Sequence, residues 1–258
     1  MIIAYDATTT RIFGMLPYSF FVVIGVTFAS SLFILFLLKY GYNIRRYTKI
    51  FLLSGIGMLI GARLFGVLTG LYVALANNEP ITLNTFINTG LVFYGGLIGF
   101  LLSFLFICKK WNGEIEYRVV DLAIICIPLF HFWGRLGCFF GGCCFGIESY
   151  SLLSISYTNR IGEEIITASR LPVQLFEATG NVVIFVALIS MLSKKVFMGH
   201  LIKVYLVMYA VMRIVLEFFR GDLVRGIWHG VSFSQLISVI IIIICFMSVF
   251  NRKEKEYV

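Results

Sequence analysis

Long apolar runs alternate with short polar segments along this chain. Seven runs of about 20 or more mostly apolar residues can be read, at 14–38, 50–75, 90–108, 119–139, 172–192, 201–219 and 232–250. About 20 such residues are what a helix needs to cross the hydrocarbon core of a bilayer. The pattern predicts an all-α integral membrane protein, built as a single polytopic domain with seven transmembrane helices.

The composition agrees with lipid as the solvent of this chain. Hydrophobic residues make up 60% of its 258 residues, charged residues make up 13%, and the mean hydropathy is +0.95. Soluble domains are roughly a quarter charged. The first apolar run is too long for the hydrophobic region of a signal peptide and follows no basic segment, so we expect it to remain as a helix.

The basic residues between the runs predict the orientation. Of the 21 Lys and Arg residues, thirteen lie in the first, third and fifth connections and the C-terminal tail, and five lie in the N-terminal segment and the other three connections. Since basic loops stay in the cytoplasm, the N-terminus is predicted outside and the C-terminus inside. The net charge of +8 is spread over separate clusters rather than one face, so no nucleic-acid partner is expected.

Charged residues also occur within or at the edges of the predicted helices. They are Arg63, Arg135, Glu177, Arg213 and Glu217. A charge in the membrane is costly and usually faces the interior of a bundle. The three arginines lie late in outward-going helices, so they are expected to meet near the outer leaflet and to suit an anionic lipid phosphate. For each residue the alternative is a structural Arg–Glu pair or a side chain that snorkels to the interface.

Four segments carry a more specific pattern: VFYGGLIGF at 92–100, GRLGCFFGGCCFG at 134–146, RLPVQLFE at 170–177 and YAVMRIVLEFFRGD at 209–222. In this order they resemble the prolipoprotein diacylglyceryl transferase family. PYSFF near Tyr18 and GARLFG near Arg63 fit the first two helices of that family. The resemblance extends over most of the chain and agrees with the predicted topology.

The resemblance implies a multi-pass enzyme of the bacterial inner membrane. Such enzymes move the diacylglyceryl group of phosphatidylglycerol, or here of a related anionic lipid, to a cysteine thiol of a lipoprotein precursor and release glycerol phosphate. The resemblance implies neither a cofactor nor a metal. It implies that Arg135 and Arg213 hold the phosphate and stabilise the charge of the leaving group. Tyr209 lies one turn before Arg213 and would donate a hydrogen bond to the headgroup.

Further residues are expected to support this site. The resemblance implies that the cavity is lined or braced by Tyr18, Arg63, Gln174 and Glu177. Gly95 and Gly96 would let the lipid approach the backbone closely. The polar connection at 146–171 is predicted on the outer side, where it could cover the site.

Three positions depart from the family pattern. Tyr94 replaces a histidine, and Cys138 and Cys143 replace an asparagine and a glutamate. A tyrosine, with an ordinary pKa of about 10, is a poor base at neutral pH, and thiols are weak hydrogen-bonding groups. These residues stay candidate catalytic groups. The alternative function is that of a divergent paralogue, which binds or transports a lipid or thiol ligand or carries out cysteine-based chemistry at the outer face.

His131 is a candidate for a relocated base. It precedes Arg135 by four residues, so both side chains share one face of a helix. The alternative is that His131 satisfies a hydrogen-bonding partner or packs against aromatic residues within the bundle.

The cysteines at 138, 143 and 144 allow three interpretations. They could pack as small apolar groups. Arg135 could lower the pKa of Cys138 or Cys143 and make it a nucleophilic thiolate. Finally, Cys138 could form a disulfide with Cys143 or Cys144, or the group could bind a soft metal. The C-x4-C-C spacing is not a standard zinc pattern, so no metal site is predicted.

Overall fold

A computed structural model describes residues 4–6, 11–76, 80–83, 86, 90–161, 164–221, 227–228 and 231–253. Within these residues, seven long helices form the body of the protein: α1 (Pro17–Tyr40), α2 (Ile44–Ala76), α3 (Phe93–Asn112), α4 (Tyr117–Phe140), α5 (Val173–Ser193), α6 (Leu201–Glu217) and α7 (Phe233–Lys253). Each helix coincides with one predicted apolar run. The predicted helical character is therefore confirmed.

The helices have the length and composition of membrane-spanning segments. Five of them, α1 to α5, are long and apolar enough to cross a bilayer. At a rise of 1.5 Å per residue, the 17 residues of α6 extend about 26 Å. Helix α7 has 21 residues, and its segment Phe233–Ser248 is apolar. The chain is consistent with an integral membrane protein, and a full count of seven crossings stays a prediction.

Two small β-sheets, which the sequence analysis did not predict, are formed by the connections and the segment before α1. Strand β1 (Ala4–Asp6) pairs in parallel with β2 (Ile155–Ile161), which pairs antiparallel with β3 (Glu164–Arg170). A second pair joins β4 (Ile227–Trp228) to β5 (Val231–Ser232). Strands β2 and β3 are rich in Ile and Thr, which favour extended backbone. The connection at 146–171 thus contains a β-hairpin.

The connections differ between the two ends of the bundle. Those at 41–43, 113–116 and 194–200 are short, so the helices they join run antiparallel. The starts of α1, α3, α5 and α7 therefore lie at the same end as the ends of α2, α4 and α6. Strands β2 to β5 belong to the connections of this end and β1 lies in the segment before α1, so we call it the sheet end.

The opposite half of the bundle is densely packed. Its core contains Phe33, Phe104, Ile124 and Leu188, all at most 1% exposed. At its edge the carboxylate of Asp121 in α4 accepts hydrogen bonds from the backbone N–H groups of Gly199 and Leu201. This contact satisfies donors at the start of α6, which the helix itself leaves unpaired. The core thus fixes the helices that carry the site.

Helices α2 and α3 approach each other through glycines. A Cβ atom on Gly95 would overlap the carbonyl oxygen of Gly61, and a Cβ atom on Gly61 would overlap the carbonyl oxygen of Gly95. Gly57 and Gly99 make an equivalent contact one turn away. Small residues permit such close approach between helices in a membrane. This contact fixes the start of α3 at the sheet end.

Candidate active site

A cavity of about 650 Å³ extends from the sheet end toward the middle of the bundle. Most of its wall is apolar and comes from α1 to α4. Val26, Leu52 and Leu59 belong to this wall, yet they are between 40% and 56% exposed. The cavity therefore reaches the outer surface of the bundle along α1 and α2. Its polar part is lined by Arg135, Cys138, Cys143, Cys144, Tyr209, Arg213, Glu217 and Arg220.

Glu177 is the centre of a buried charged cluster behind this polar wall. Its side chain is 1% exposed, and Oε1 lies 2.8 Å from Nη2 of Arg135. Oε2 lies 3.1 Å from Nη1 of Arg213, and the hydroxyl of Tyr209 donates a hydrogen bond of 3.3 Å to Oε1. Buried charges are stable only when they are paired and hydrogen-bonded. Glu177 thus holds one arginine from α4 and one from α6 in fixed positions.

Glu217 extends the cluster by one further charge. Its Oε2 lies 2.6 Å from Nη2 of Arg213, one turn earlier on the same helix. Arg213 consequently binds two carboxylates, and the charges alternate from Arg135 through Glu177 and Arg213 to Glu217. All four residues are less than 9% exposed. Arg135 and Arg213 therefore do face the interior, and they do so as members of Arg–Glu pairs.

Arg63 lies apart from the other two arginines. Its side chain is half-buried, and Nη2 donates a hydrogen bond of 2.8 Å to the carbonyl oxygen of Phe86. Arg63 is not among the residues that line the cavity. The predicted meeting of three arginines is thus found for Arg135 and Arg213, which share a carboxylate. Arg63 lies on α2, and its side chain instead reaches the connection between α2 and α3.

The side chain of His131 contacts other residues within the bundle. Its ring stacks on Phe93 with centroids 3.6 Å apart, and its Nε2 accepts a hydrogen bond of 3.2 Å from Nε of Arg135. A neutral imidazole accepts a proton at only one nitrogen. Since that lone pair faces a guanidinium, His131 is not poised to deprotonate a substrate. The contacts favour the alternative in which His131 satisfies a partner in the bundle.

Tyr94 lines the cavity, and its hydroxyl is hydrogen-bonded to a serine of α7. The hydroxyl lies 2.5 Å from Oγ of Ser238 in α7, and Ser238 donates its own proton to the carbonyl oxygen of Ser234. Tyr94 is therefore the donor of the pair. Its ring packs edge-on against Tyr209, 5.4 Å between centroids. Tyr94 thus joins α3 to α6 and α7.

The remaining predicted residues take different positions. Tyr18 and Gly96 line the cavity. Gly95 packs against Gly61 of α2, so its close approach is to a helix and not to lipid. Gln174 lies behind the wall, where Nε2 donates a hydrogen bond of 2.7 Å to the carbonyl oxygen of Cys143. Gln174 therefore braces the turn that follows α4.

The end of α4 and the turn that follows it, residues 138–144, are together called the cysteine turn here. Gly142 (φ +65°) and Cys144 (φ +61°) both adopt left-handed backbone, a conformation that is unfavourable for a non-glycine residue. The result is a tight fold that brings three thiols together. The Sγ atoms of Cys138, Cys143 and Cys144 all lie within 4.8 Å of one another. Because Cys143 is exposed, simple packing does not account for the group.

The thiols of Cys143 and Cys144 in the cysteine turn have their pKa shifted in opposite directions. Hydrogen bonds with Cys138 and Cys143 lower the pKa of Cys144 well below its usual value, with help from the positive charges of Arg135 and Arg220. For Cys143, the hydrogen bond with Cys138 lowers the pKa. The hydrogen bond with Cys144 and the burial outweigh it, and they raise the pKa of Cys143 to about 12. The turn therefore holds a thiolate most readily at Cys144.

Two residues at this site were not singled out from the sequence. Arg220 is 8% exposed and lines the cavity. It belongs to the YAVMRIVLEFFRGD segment and directly follows the predicted run 201–219, so it could have been indicated as a further cation at the outer end of that helix. Ser238, the partner of Tyr94, gives no such signal because a serine in an apolar helix has many roles.

Known proteins resemble the chain over most of its length. A family model described as prolipoprotein diacylglyceryl transferase matches residues 8–251. A phosphatidylglycerol–prolipoprotein diacylglyceryl transferase of Clostridium tetani is 29% identical over 209 residues, which is 80% of each chain. One of Campylobacter hominis is 31% identical over 74% of this chain and 69% of its own. Transferase 2 of Clostridium perfringens is 28% identical over 90% of each chain.

Proposed function

Because the chain belongs to the prolipoprotein diacylglyceryl transferase family, we propose that it transfers a diacylglyceryl group from phosphatidylglycerol, or from a related anionic phospholipid, to a thiol. The proposed acceptor is a cysteine such as that of a lipoprotein precursor. One observation supports this proposal most: Arg135 and Arg213 are fixed by a single carboxylate at the polar part of an otherwise apolar cavity.

The shape of the cavity suits a phospholipid. A lipid of this class has an anionic headgroup and two apolar chains, and the cavity has a cationic part and an apolar part. The exposed side chains of Val26, Leu52 and Leu59 provide a path along α1 and α2 by which acyl chains could remain in the bilayer. A soluble ligand would need no such side entrance.

Arg135 has donors available for a phosphate. A guanidinium carries five N–H donors, and Arg135 uses Nε for His131 and Nη2 for Glu177. Its Nη1 makes no hydrogen bond or ion pair with the residues that the structure describes. Since Glu177 already orients the guanidinium, little ordering cost remains when phosphate binds. These donors are suited to the phosphate oxygens of the lipid.

The proposed reaction is a displacement at the glyceryl carbon that bears the phosphate. The acceptor sulfur forms a bond to this carbon as the carbon–oxygen bond breaks. The electron pair of that bond goes to the phosphate oxygen, and the thiol proton ends on the released glycerol phosphate. Arg135 and Arg213 would offset the negative charge that grows on the leaving group.

The proposed location is the bacterial cytoplasmic membrane, with seven crossings, the N-terminus outside and the C-terminus inside. Thirteen basic residues lie in or beside the short connections and in the C-terminal tail, against five in the N-terminal segment and the connections of the sheet end. The positive-inside rule then orients the sheet end outward. Headgroups of the outer leaflet would meet the cluster at that depth.

Complementation tests the proposal in cells. A strain depleted of its own diacylglyceryl transferase would express this chain, and mass spectrometry would follow a lipoprotein cysteine. We expect a diacylglyceryl adduct with the wild type and none with Arg213→Lys at equal expression. Absence of the adduct with well-expressed wild type would overturn the proposal.

A further inference from the structure

The three thiols of the cysteine turn have the spacing of metal ligands. Their Sγ atoms lie within 4.8 Å of one another. With zinc–sulfur bonds of about 2.3 Å, two ligands of a tetrahedral site are about 3.8 Å apart. The sulfurs therefore need to close by about 1 Å at most. Cys143 is exposed, so rotation of its side chain can supply much of this movement.

The turn holds these ligands before any ion binds. The left-handed backbone of Cys144 is the kind of strain that persists only where surrounding contacts maintain it. Those contacts are present. The N–H of Cys143 donates a hydrogen bond of 3.1 Å to the carbonyl oxygen of Cys138, and Gln174 binds the carbonyl oxygen of Cys143 at 2.7 Å. Both hydrogen bonds fix the backbone of residues whose thiols would bind the ion.

The chain after the turn is tied to two further helices. The N–H of Gly146 donates to the carbonyl oxygen of Leu171 at 2.8 Å, just before α5. The N–H of Gly221, just after α6, donates to the carbonyl oxygen of Phe145 at 3.2 Å. A Cβ atom on Gly146 would come within 2.7 Å of the carbonyl oxygens of Leu171 and Phe219. The ligands thus belong to a turn anchored to α4, α5 and α6.

The donor set and its surroundings favour a thiophilic ion. Thiolates select zinc and other soft ions over magnesium or calcium, which prefer oxygen. Three thiolates and one zinc ion carry one net negative charge. Arg135 and Arg220 line the same part of the cavity as the three cysteines, and their positive charges can offset it. A disulfide would link only two of the three sulfurs and would leave the third unexplained.

We propose that Cys138, Cys143 and Cys144 bind one zinc ion, whose fourth position is open toward the cavity for the thiol of the acceptor. All three residues line the cavity, so an incoming thiol can reach the ion. Catalytic zinc sites characteristically have three protein ligands and one open position. The site follows from the geometry of the turn and not from the spacing in the sequence.

The role of the ion in transfer rests on the proposed function. Zinc promotes ionisation of a thiol that binds to it, and the resulting thiolate is the nucleophile that alkylation requires. The thiol proton passes to water and then to the released glycerol phosphate. The sulfur–carbon bond forms while the carbon–oxygen bond breaks, and nothing is oxidised or reduced. This arrangement supplies the activation that neither Tyr94 nor His131 is poised to give.

Metal analysis of the purified protein in detergent tests the site directly. We expect one zinc per chain, and at least about a tenfold loss of zinc affinity in each of Cys138→Ser, Cys143→Ser and Cys144→Ser. The matched control is Cys245→Ser, in an apolar part of α7, which should bind zinc as the wild type does. Equal zinc in the triple serine variant and the wild type would overturn the proposal.

A second measurement uses the wild type alone, so it does not depend on whether a variant folds. Protein stripped with a chelator would be titrated with cobalt(II), which reports thiolate ligands through a charge-transfer absorption band in the near ultraviolet. We expect one equivalent to saturate the band and zinc to displace it. A stripped protein that stays folded and gives no band contradicts the site, as does a Cys138–Cys144 disulfide in protein purified without reductant.

The same preparations separate the site from the function. If zinc binds but no lipid supports transfer at any zinc level, the metal site stands and the proposed function fails. If transfer by the stripped protein equals that of the loaded protein, the function stands and the role of zinc fails. We expect at least about a hundredfold loss of transfer on stripping, reversed by added zinc, with phosphatidylglycerol binding unchanged.

Discussion

The carboxylate of Glu177 lies 2.8 Å from the guanidinium of Arg135, across the interface of α5 and α4, and the glutamate side chain is 1% exposed. The same carboxylate reaches Arg213 with its other oxygen. One buried acid thus sets the positions of two arginines from different helices. A catalytic site gains from such pre-ordering, because the donors need not be reorganised when charge develops in the transition state.

Replacement of Glu177 by glutamine should therefore lower both stability and activity. Gln keeps the shape of the side chain but leaves two guanidiniums without their shared negative charge. Removing one partner of a buried ion pair costs about 3–5 kcal/mol. The free energy of unfolding in detergent measures this effect. Glu148→Gln is the matched control, because Glu148 is 66% exposed in its pair with Arg170 and should lose less than about 1 kcal/mol. Similar losses in the two variants would contradict a central role of Glu177.

Lysine in place of either arginine should preserve charge and lose function. A lysine cannot bind a carboxylate or phosphate with two parallel donors. We expect transfer to fall at least about a hundredfold in Arg135→Lys and in Arg213→Lys. Arg46→Lys is the control, since Arg46 lies at the opposite end, where it binds Asn112 at 3.2 Å. The initial rate of adduct formation on an acceptor peptide is the measurement, and undiminished rates would remove both arginines from the mechanism.

Tyr94→Phe distinguishes a structural tyrosine from a base. The change removes the hydrogen bond to Ser238 and keeps the ring against Tyr209. We expect a loss of about 1 kcal/mol in stability and a loss of transfer below about tenfold. Ser238→Ala should reproduce the stability change, because it removes the other partner of the same bond. Complete loss of transfer in a folded Tyr94→Phe protein would instead make the hydroxyl a catalytic group.

Gly95→Ala tests the packing of α2 against α3. An added methyl group would overlap the carbonyl oxygen of Gly61, and such overpacking costs about 1–3 kcal/mol or more. Gly55→Ala on α2 is the control, because a Cβ atom there meets nothing within 4 Å. Alanine is the better helix former by about 1 kcal/mol, so the control should be neutral or stabilising. Thermal unfolding in detergent compares the two, and equal midpoints would argue against the close contact.

The sequence predicts the helices and the four charged residues of the cluster for physical reasons. Apolar runs long enough for a bilayer have few alternatives to helix, because every backbone polar group must be paired in lipid. Charges within such runs must pair or face a cavity, which indicated Arg135, Glu177, Arg213 and Glu217. Arg63 is also paired, but its partner is the carbonyl oxygen of Phe86 and not a carboxylate. No pattern along the chain distinguishes an arginine that joins the cluster from one that binds a backbone carbonyl.

Other features depend on contacts that no local pattern reports. Strand β1 pairs with β2 across about 150 residues of chain, so its pairing could not be predicted from either segment. The grouping of the thiols depends on left-handed backbone at Cys144, which sequence alone does not favour for cysteine. A glycine at position 95 is equally compatible with close approach of a lipid and with close approach of a second helix. Only the position of α2 decides between the two.

The most direct test of the central claim is transfer by the purified protein from phosphatidylglycerol vesicles to a peptide that carries the cysteine of a lipoprotein precursor. Mass spectrometry measures the adduct, and Arg135→Lys and vesicles of phosphatidylethanolamine serve as comparisons. The account predicts a diacylglyceryl adduct on the cysteine with wild-type protein and phosphatidylglycerol, and at least about a hundredfold less in Arg135→Lys. An unmodified peptide with folded, zinc-loaded wild-type protein would contradict it.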